Sequence, residues 1–262
     1  MFSRAFHLRG ASDAVCRTIM NGKLAVLTLS RPEVRNALSL SMCDSILQCA
    51  HDISQSSSNV RALVLTGDSN CFSAGKDLKA SALHTESEAA EYYLRTLSVV
   101  KALLAVPIPV IVSMEKTCLG LGLELALTAD IRIAGESTNL GFPEINLNLF
   151  PGCGGAVLLP LILGNVHLAS DLILTGRRVS AKEALALNLV SRVVPDGQAL
   201  DRALSIAEPL VAKNRDLLVR TKQVVTYGFK SQLRDWMTLS ETNRRIVGQS
   251  KEHLSSLKEW TK

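Results

Sequence analysis

The chain has 262 residues, of which 47% are hydrophobic and 20% charged, and a formal net charge of +5. This is enough apolar material for one large domain, or a domain with a helical appendage, and it excludes wholesale disorder. The mild positive charge suits an anionic small-molecule substrate and gives little support for nucleic acid. No apolar run reaches the roughly 18–20 residues of a membrane span.

The opening MFSRAFHLRG holds two arginines and no acid, with Phe2, Phe6 and Leu8 spaced along a potential helix. That composition resembles the start of a mitochondrial transit peptide and equally suits a basic tail. Residues 1–13 are therefore read as a flexible tail or targeting remnant. The expected location is mitochondrial, otherwise cytoplasmic, and not secreted. Cys16, Cys43, Cys49, Cys71, Cys118 and Cys153 form no CxxC pair and no zinc-like spacing with histidine. Free thiols in a reducing compartment are expected, and no metal site.

Residues 15–19 and 24–29 are strand-like and flank Asn21-Gly22, a strong hairpin signal. Leu40, Cys43, Ile46, Leu47, Ala50 and Ile53 recur at helical spacing behind Ser39, a residue suited to cap them. Residues 62–65 predict a buried strand, followed by the loop CFSAGKDL. Residues 81–106 read as one helix whose acidic opening, 84–91, suggests a lid; Pro107 stops it before a strand at 110–113. Strands are also expected at 131–134 and 190–194, and helical patterns at 157–163 and 168–174. Ser180 and Glu183 suit a capping box, and residues 199–262 read as amphipathic helices. Strand–helix alternation followed by helices alone indicates an α/β core with a helical C-terminal part.

The chain is organised around residues 117–155. Gly120 and Gly122 open an apolar segment, 121–127, that carries a single acid, Glu124. Glycines there suggest a tight turn into a helix whose first N–H groups are unpaired and attract negative charge. An acid embedded in apolar residues is costly to bury, so a raised pKa and proton transfer are expected of Glu124. A second carboxylate follows in Phe142-Pro143-Glu144.

The motifs FSAGKDL (72–78), LGLGLELA (119–126), ADIRIA (129–134), GFPE (141–144), FPGCGG (150–155) and TGRRVSAKEALALNLVSRVV (175–194) occur in this order. Together they make the chain similar to the enoyl-CoA hydratase/isomerase (crotonase) family over roughly 15–195. The resemblance implies a crotonase-like spiral of β-β-α units over 14–197 and a helical C-terminal trimerisation region over 198–262. It also implies a homotrimer or a hexamer of two trimers, and an acyl-CoA thioester as substrate. No cofactor is implied beyond the coenzyme A that belongs to that substrate.

In this family an enolate forms at the thioester carbonyl, and two backbone N–H groups hold its oxygen. By motif position those donors are Ala74 and Leu121, and Leu121 stands where glycine is usual. Glu124 matches the residue that activates water as base, and Glu144 the residue that protonates the α-carbon. Two close carboxylates in an apolar pocket are expected to titrate as a pair. Ser73, Ala74, Gly75, Lys76, Asp77, Leu78 and Gly120 match residues lining the thioester and pantetheine, with Lys76 near a CoA phosphate. Arg35 and Ala37, flanking Asn36, match a loop that borders the CoA adenine and phosphates. Cys118 and Cys153 flank the site and read as small packing residues.

The leading reading is an enoyl-CoA hydratase, because both carboxylates are present. One alternative is a Δ3,Δ2-enoyl-CoA isomerase, or another acyl-CoA enzyme of the same fold, working with one carboxylate. A third reading is a non-catalytic CoA- or RNA-binding member. Against RNA, the segment 40–53 carries Asp44 and Asp52 and no lysine or arginine. The chain also departs from the family pattern after Gly155, at Asn148 and in the tail from Ile246, which leaves neighbouring-subunit contacts to CoA unassigned.

Overall fold

The computed structural model describes residues 13–68 and 71–250, together with 252, 255, 256 and 259. The targeting-like segment at 1–12 lies outside the described residues. Strands β1 (Ala14–Ile19) and β2 (Leu24–Leu29) form the expected antiparallel hairpin, with Cys16 opposite Leu27. Met20, Asn21 and Gly22 in its turn have φ of 52°, 58° and 78°. This left-handed run is what the Asn-Gly pair accommodates.

Helix α1 (Leu40–Ser54) begins where Ser39 accepts the Met42 N–H at 3.0 Å, and it buries Met42, Cys43, Ile46, Cys49, Ala50 and Ile53. Strand β3 (Ala62–Gly67) follows. The single helix expected over 81–106 is instead two, α2 (Leu78–Ala82) and α3 (Glu86–Ala105). Asp77 caps the first. Thr85 and Glu88 form a reciprocal capping box that starts the second, so a new helix begins at the acidic stretch read as a lid.

Two turns of a spiral follow. Strands β4 (Val110–Met114) and β5 (Thr117–Leu119) lead into α4 (Leu121–Leu127). Strands β6 (Ile131–Gly135) and β7 (Asn139–Gly141) lead through a 3-10 turn, Pro143–Leu147, into α5 (Gly155–Leu163) and α6 (Val166–Thr175). Strand β8 (Arg178–Ser180), helix α7 (Ala181–Ala186) and strand β9 (Arg192–Val194) close the core. The large sheet runs β1-β2-β3-β4-β6-β9, parallel from β2 onward, and the small sheet runs β5-β7-β8.

Both faces of the large sheet are covered, as parallel strands require. In β3, Leu63 and Leu65 point into the main core with α1 and α3, while Ala62 and Val64 point the other way. That second face is closed by α8 (Ala199–Val211), whose Ala203 and Ala207 let it approach the sheet closely. The first helix of the expected C-terminal region thus packs as part of the α/β core. Helices α9 (Arg215–Val225), α10 (Tyr227–Ser231) and α11 (Leu233–Gly248) follow, and α11 packs on α5. Buried Lys222 ties α9 to the sheet, its ammonium donating to the Asp130 carboxylate at 2.7 Å and to the Ile108 carbonyl at 2.9 Å. Among the described residues no helix is long and apolar enough to cross a membrane.

Candidate active site

The loop after β3 is held by the segment before α1. Asn36 is fully buried, and its amide donates to the Cys71 carbonyl at 2.7 Å while its oxygen accepts the Arg31 N–H at 2.7 Å. Ser73 donates from its hydroxyl to the Asn36 carbonyl at 2.7 Å and accepts the Gly75 N–H at 3.1 Å. Leu38 N–H donates to the Gly75 carbonyl at 2.9 Å. These bonds set the FSAGKDL loop against the start of α4. A Cβ on Gly75, where φ is +95°, would lie 2.6 Å from the Leu119 carbonyl oxygen and 3.1 Å from Leu121 N. Only glycine allows that approach.

Between these elements is a cleft of about 740 Å³, partly open to solvent. Ala74, Lys76, Leu78, Gly120, Leu121, Glu124 and Glu144 line it. Arg35, Ala37, Ser73, Gly75 and Asp77 do not. Arg35 is exposed, and the Ala37 carbonyl accepts from Arg31 at 2.8 Å. Asp77 pairs with Arg31 at 3.1 Å and caps α2.

Glu124, in the first turn of α4, is 2% exposed. Its Oε1 accepts the N–H groups of Cys153, in the turn that precedes α5, at 2.9 Å and of Gly155, the first residue of α5, at 2.7 Å. Burial pushes its pKa up to about 7, and the N–H donors of Gly155, Cys153 and Gly154 limit the rise by favouring the ionised form. Glu144 sits at the start of the 3-10 turn, with its Oε2 buried and without a hydrogen-bond partner among the described residues. Burial, with the charge of Glu124 added, pushes its pKa up to about 8. A Cβ on Gly120 (φ +51°) would lie 2.5 Å from Glu144 Oε1, so this glycine makes the space the carboxyl occupies.

One expected donor is corrected by the structure. The Ala74 N–H already donates to the Arg35 carbonyl at 2.8 Å and is not available to a substrate oxygen. The Leu121 N–H, at the first position of α4, has no acceptor among the described residues. The Lys76 N–H is a second one with no acceptor among the described residues. It belongs to the same trans peptide as the Gly75 carbonyl, which points at Leu38, so it points away from Leu38. The leucine at 121 imposes no left-handed backbone, because Gly120 takes the positive φ instead.

Sequence reasoning missed Tyr92, Tyr93, Thr96, Leu147, Leu149, Phe150 and Arg244, all of which line the cleft. The adjacent tyrosines were a usable signal, since the chain has only three. Arg244 reaches the cleft from α11 and carried none. Cys153, read as a packing residue, also lines the cleft, and burial holds its thiol protonated.

The enoyl-CoA hydratase/isomerase family model matches residues 20–261. The chain is 32% identical over 239 residues to an enoyl-CoA isomerase/hydratase, fer4, of Mycosarcoma maydis, covering 88% of this chain and 87% of that one. It is 37% identical over 194 residues to the enoyl-CoA hydratase EchA19 of Mycobacterium tuberculosis, covering 73% and 72%. A crystal structure of an enoyl-CoA hydratase from Bacillus anthracis superposes with a TM-score of 0.79 at 30% identity, covering 95% of this chain and 96% of that one. The fold is the crotonase fold.

Proposed function

The chain belongs to the enoyl-CoA hydratase/isomerase family, and from that premise we propose that it hydrates a trans-2-enoyl-CoA thioester. One observation carries the reading. Two carboxyl groups face one cleft, one hydrogen-bonded toward the ionised state and the other with a buried, unpartnered oxygen suited to the protonated state. Water addition needs such a pair, a base for the water and an acid for the carbon.

In this scheme ionised Glu124 takes a proton from water as the water oxygen bonds to the β-carbon. The double-bond electrons move through the α-carbon onto the thioester oxygen. That oxygen receives the N–H groups of Leu121 and Lys76, and preorganised donors of this kind are worth about 3–4 kcal/mol each. Protonated Glu144 then delivers its proton to the α-carbon, and the carbonyl re-forms. Glu124 ends protonated and Glu144 ionised, so one proton transfer between them resets the site. The scheme uses no cofactor beyond the coenzyme A of the substrate.

An isomerase reading has support in the name of the fungal relative. It would need only one of the two carboxylates and would leave solvent oxygen out of the product. Turnover of crotonyl-CoA in ¹⁸O-water separates the two readings. The hydratase gains one labelled oxygen as the enoyl absorbance falls. The hydratase reading fails if no 2-enoyl-CoA of short, medium or long chain takes up label.

We further infer that the protein assembles through its last helices. Leu217, Val224, Val225, Tyr227, Leu239 and Ile246 on α9–α11 are large, apolar and exposed in the single chain. Light scattering giving a trimer or hexamer mass supports this, and a monomer mass removes it.

A further inference from the structure

Consecutive residues of α3 carry two cations over the cleft. Lys76 Nζ lies 5.8 Å from the Tyr92 ring centroid, and Arg244 Cζ lies 4.2 Å from that of Tyr93. Both side chains line the cleft, and burial holds both below their ordinary pKa, Lys76 at about 8 with Arg244 nearby contributing. Both are charged at pH 7.

Neither has a carboxylate partner among the described residues, because the nearby acids are committed elsewhere. Asp77 pairs with Arg31 at 3.1 Å, Glu241, almost one turn before Arg244, with Lys101 at 2.6 Å, and Glu91 lies 3.9 Å from Arg95. The acids lining the cleft are Glu124, already accepting two N–H groups, and Glu144, which burial drives toward the neutral form. The cleft therefore holds more fixed positive charge than negative in a space largely withdrawn from water, an arrangement that a bound anion completes.

The cations also have a definite place. Both act on the Cys153 thiol, and the Arg244 stem lies so close to Gly152 that a Cβ there would meet its Cγ at 2.3 Å. They stand beside the turn that holds Glu124, at the reacting end of the cleft. Arg35, in contrast, lies out on the exposed surface.

We propose that the acyl group ends in a carboxylate, and that Lys76 and Arg244 receive the free carboxylate of a 2-enedioyl monothioester of coenzyme A. An ammonium and a planar guanidinium that line one cleft over adjacent tyrosines suit a carboxylate, which a guanidinium engages with two parallel N–H groups. The inference rests on the reading of the cleft as an acyl-CoA site and deepens it.

Calorimetric titration of the full chain with glutaryl-CoA and pentanoyl-CoA is the test. The two are saturated and unreactive, and they differ only in a terminal carboxylate against a methyl group. Glutaryl-CoA is expected to bind at least tenfold tighter, and a smaller ratio overturns the proposal. Arg244→Met and Lys76→Met should each bring the ratio toward one, with Arg244→Lys keeping part of it. If both variants weaken pentanoyl-CoA as much as glutaryl-CoA, the cations serve the CoA phosphates and the proposal fails. Because binding is read without turnover, a chain inactive as a hydratase still shows whether the carboxylate is preferred. Conversely, hydration of 2-pentenoyl-CoA with no preference for the carboxylated analogue sinks this inference and leaves the hydratase reading intact.

Discussion

The turn at 150–155 and the 3-10 turn Pro143–Leu147 bring support to the same cleft from two sides, and they treat a buried carboxyl group in opposite ways. The first aims the N–H groups of Cys153 and Gly155 at Glu124, so that a group 2% exposed still titrates near neutrality, at about 7. The second carries Glu144 into the space that Gly120 leaves, with its Oε2 unpartnered among the described residues; burial and the charge of Glu124 push it higher, to about 8. Two chemically identical side chains are thus separated into a base and an acid by backbone donors on one and by the neighbouring charge on the other. Both are desolvated; they differ in the supply of N–H donors to Glu124 and in the charge of Glu124 acting on Glu144.

The largest effect should come from removing either member. Glu124→Gln and Glu144→Gln are each expected to lower kcat by roughly 10²–10⁴-fold, measured as the initial fall in enoyl absorbance. A variant within fivefold of wild type would remove that residue from the chemistry. Gly120→Ala leaves both carboxyls in the chain but places a methyl group 2.5 Å from Glu144 Oε1 on a backbone at φ +51°. A displacement of that kind is expected to cost on the order of 10²-fold in kcat, and unchanged turnover would show that Glu144 is not held by this space.

The comparison also predicts a pH profile. Glu124 must be ionised and Glu144 protonated, so kcat/KM should rise through about 7 and fall through about 8, as the apparent values of the pair. The smallest effect concerns stability. The folded pKa of Glu144 is raised above its ordinary 4.5, so its contribution is fully present below that value and is lost as pH rises through about 8. Glu144→Gln removes this loss. Its Tm should exceed that of wild type at pH 9 by about 3 °C or more and match it at pH 5. Equal pH dependence in both proteins would mean that Glu144 ionises at no folding cost.

Much of this was legible in the sequence because the signals were local. Asn21-Gly22 specified the hairpin, Ser39 the start of α1, and Gly120 with Glu124 a tight turn into a helix carrying a buried acid. The elements missed depended on contacts between distant segments. The capping box at Thr85 and Glu88 divided a pattern that apolar spacing alone left continuous. Ala74 lost its expected role because its N–H meets Arg35, 39 positions earlier in the chain, at 2.8 Å. Arg35 and Ala37 flank buried Asn36, and their carbonyls accept from Ala74 and Arg31, contacts that no periodicity reports. Arg244 enters the cleft from the far end of the chain, where the motifs had stopped.

The claim most open to direct test is that Glu144 is the protonated member and Glu124 the ionised one. Infrared difference spectra at pH 7.5 between wild type and each glutamine variant read this without turnover. The account predicts that the larger share of the protonated carboxylic acid band disappears in Glu144→Gln, and the larger share of the carboxylate band in Glu124→Gln. The reverse assignment would contradict it, and with it the roles given to the two turns.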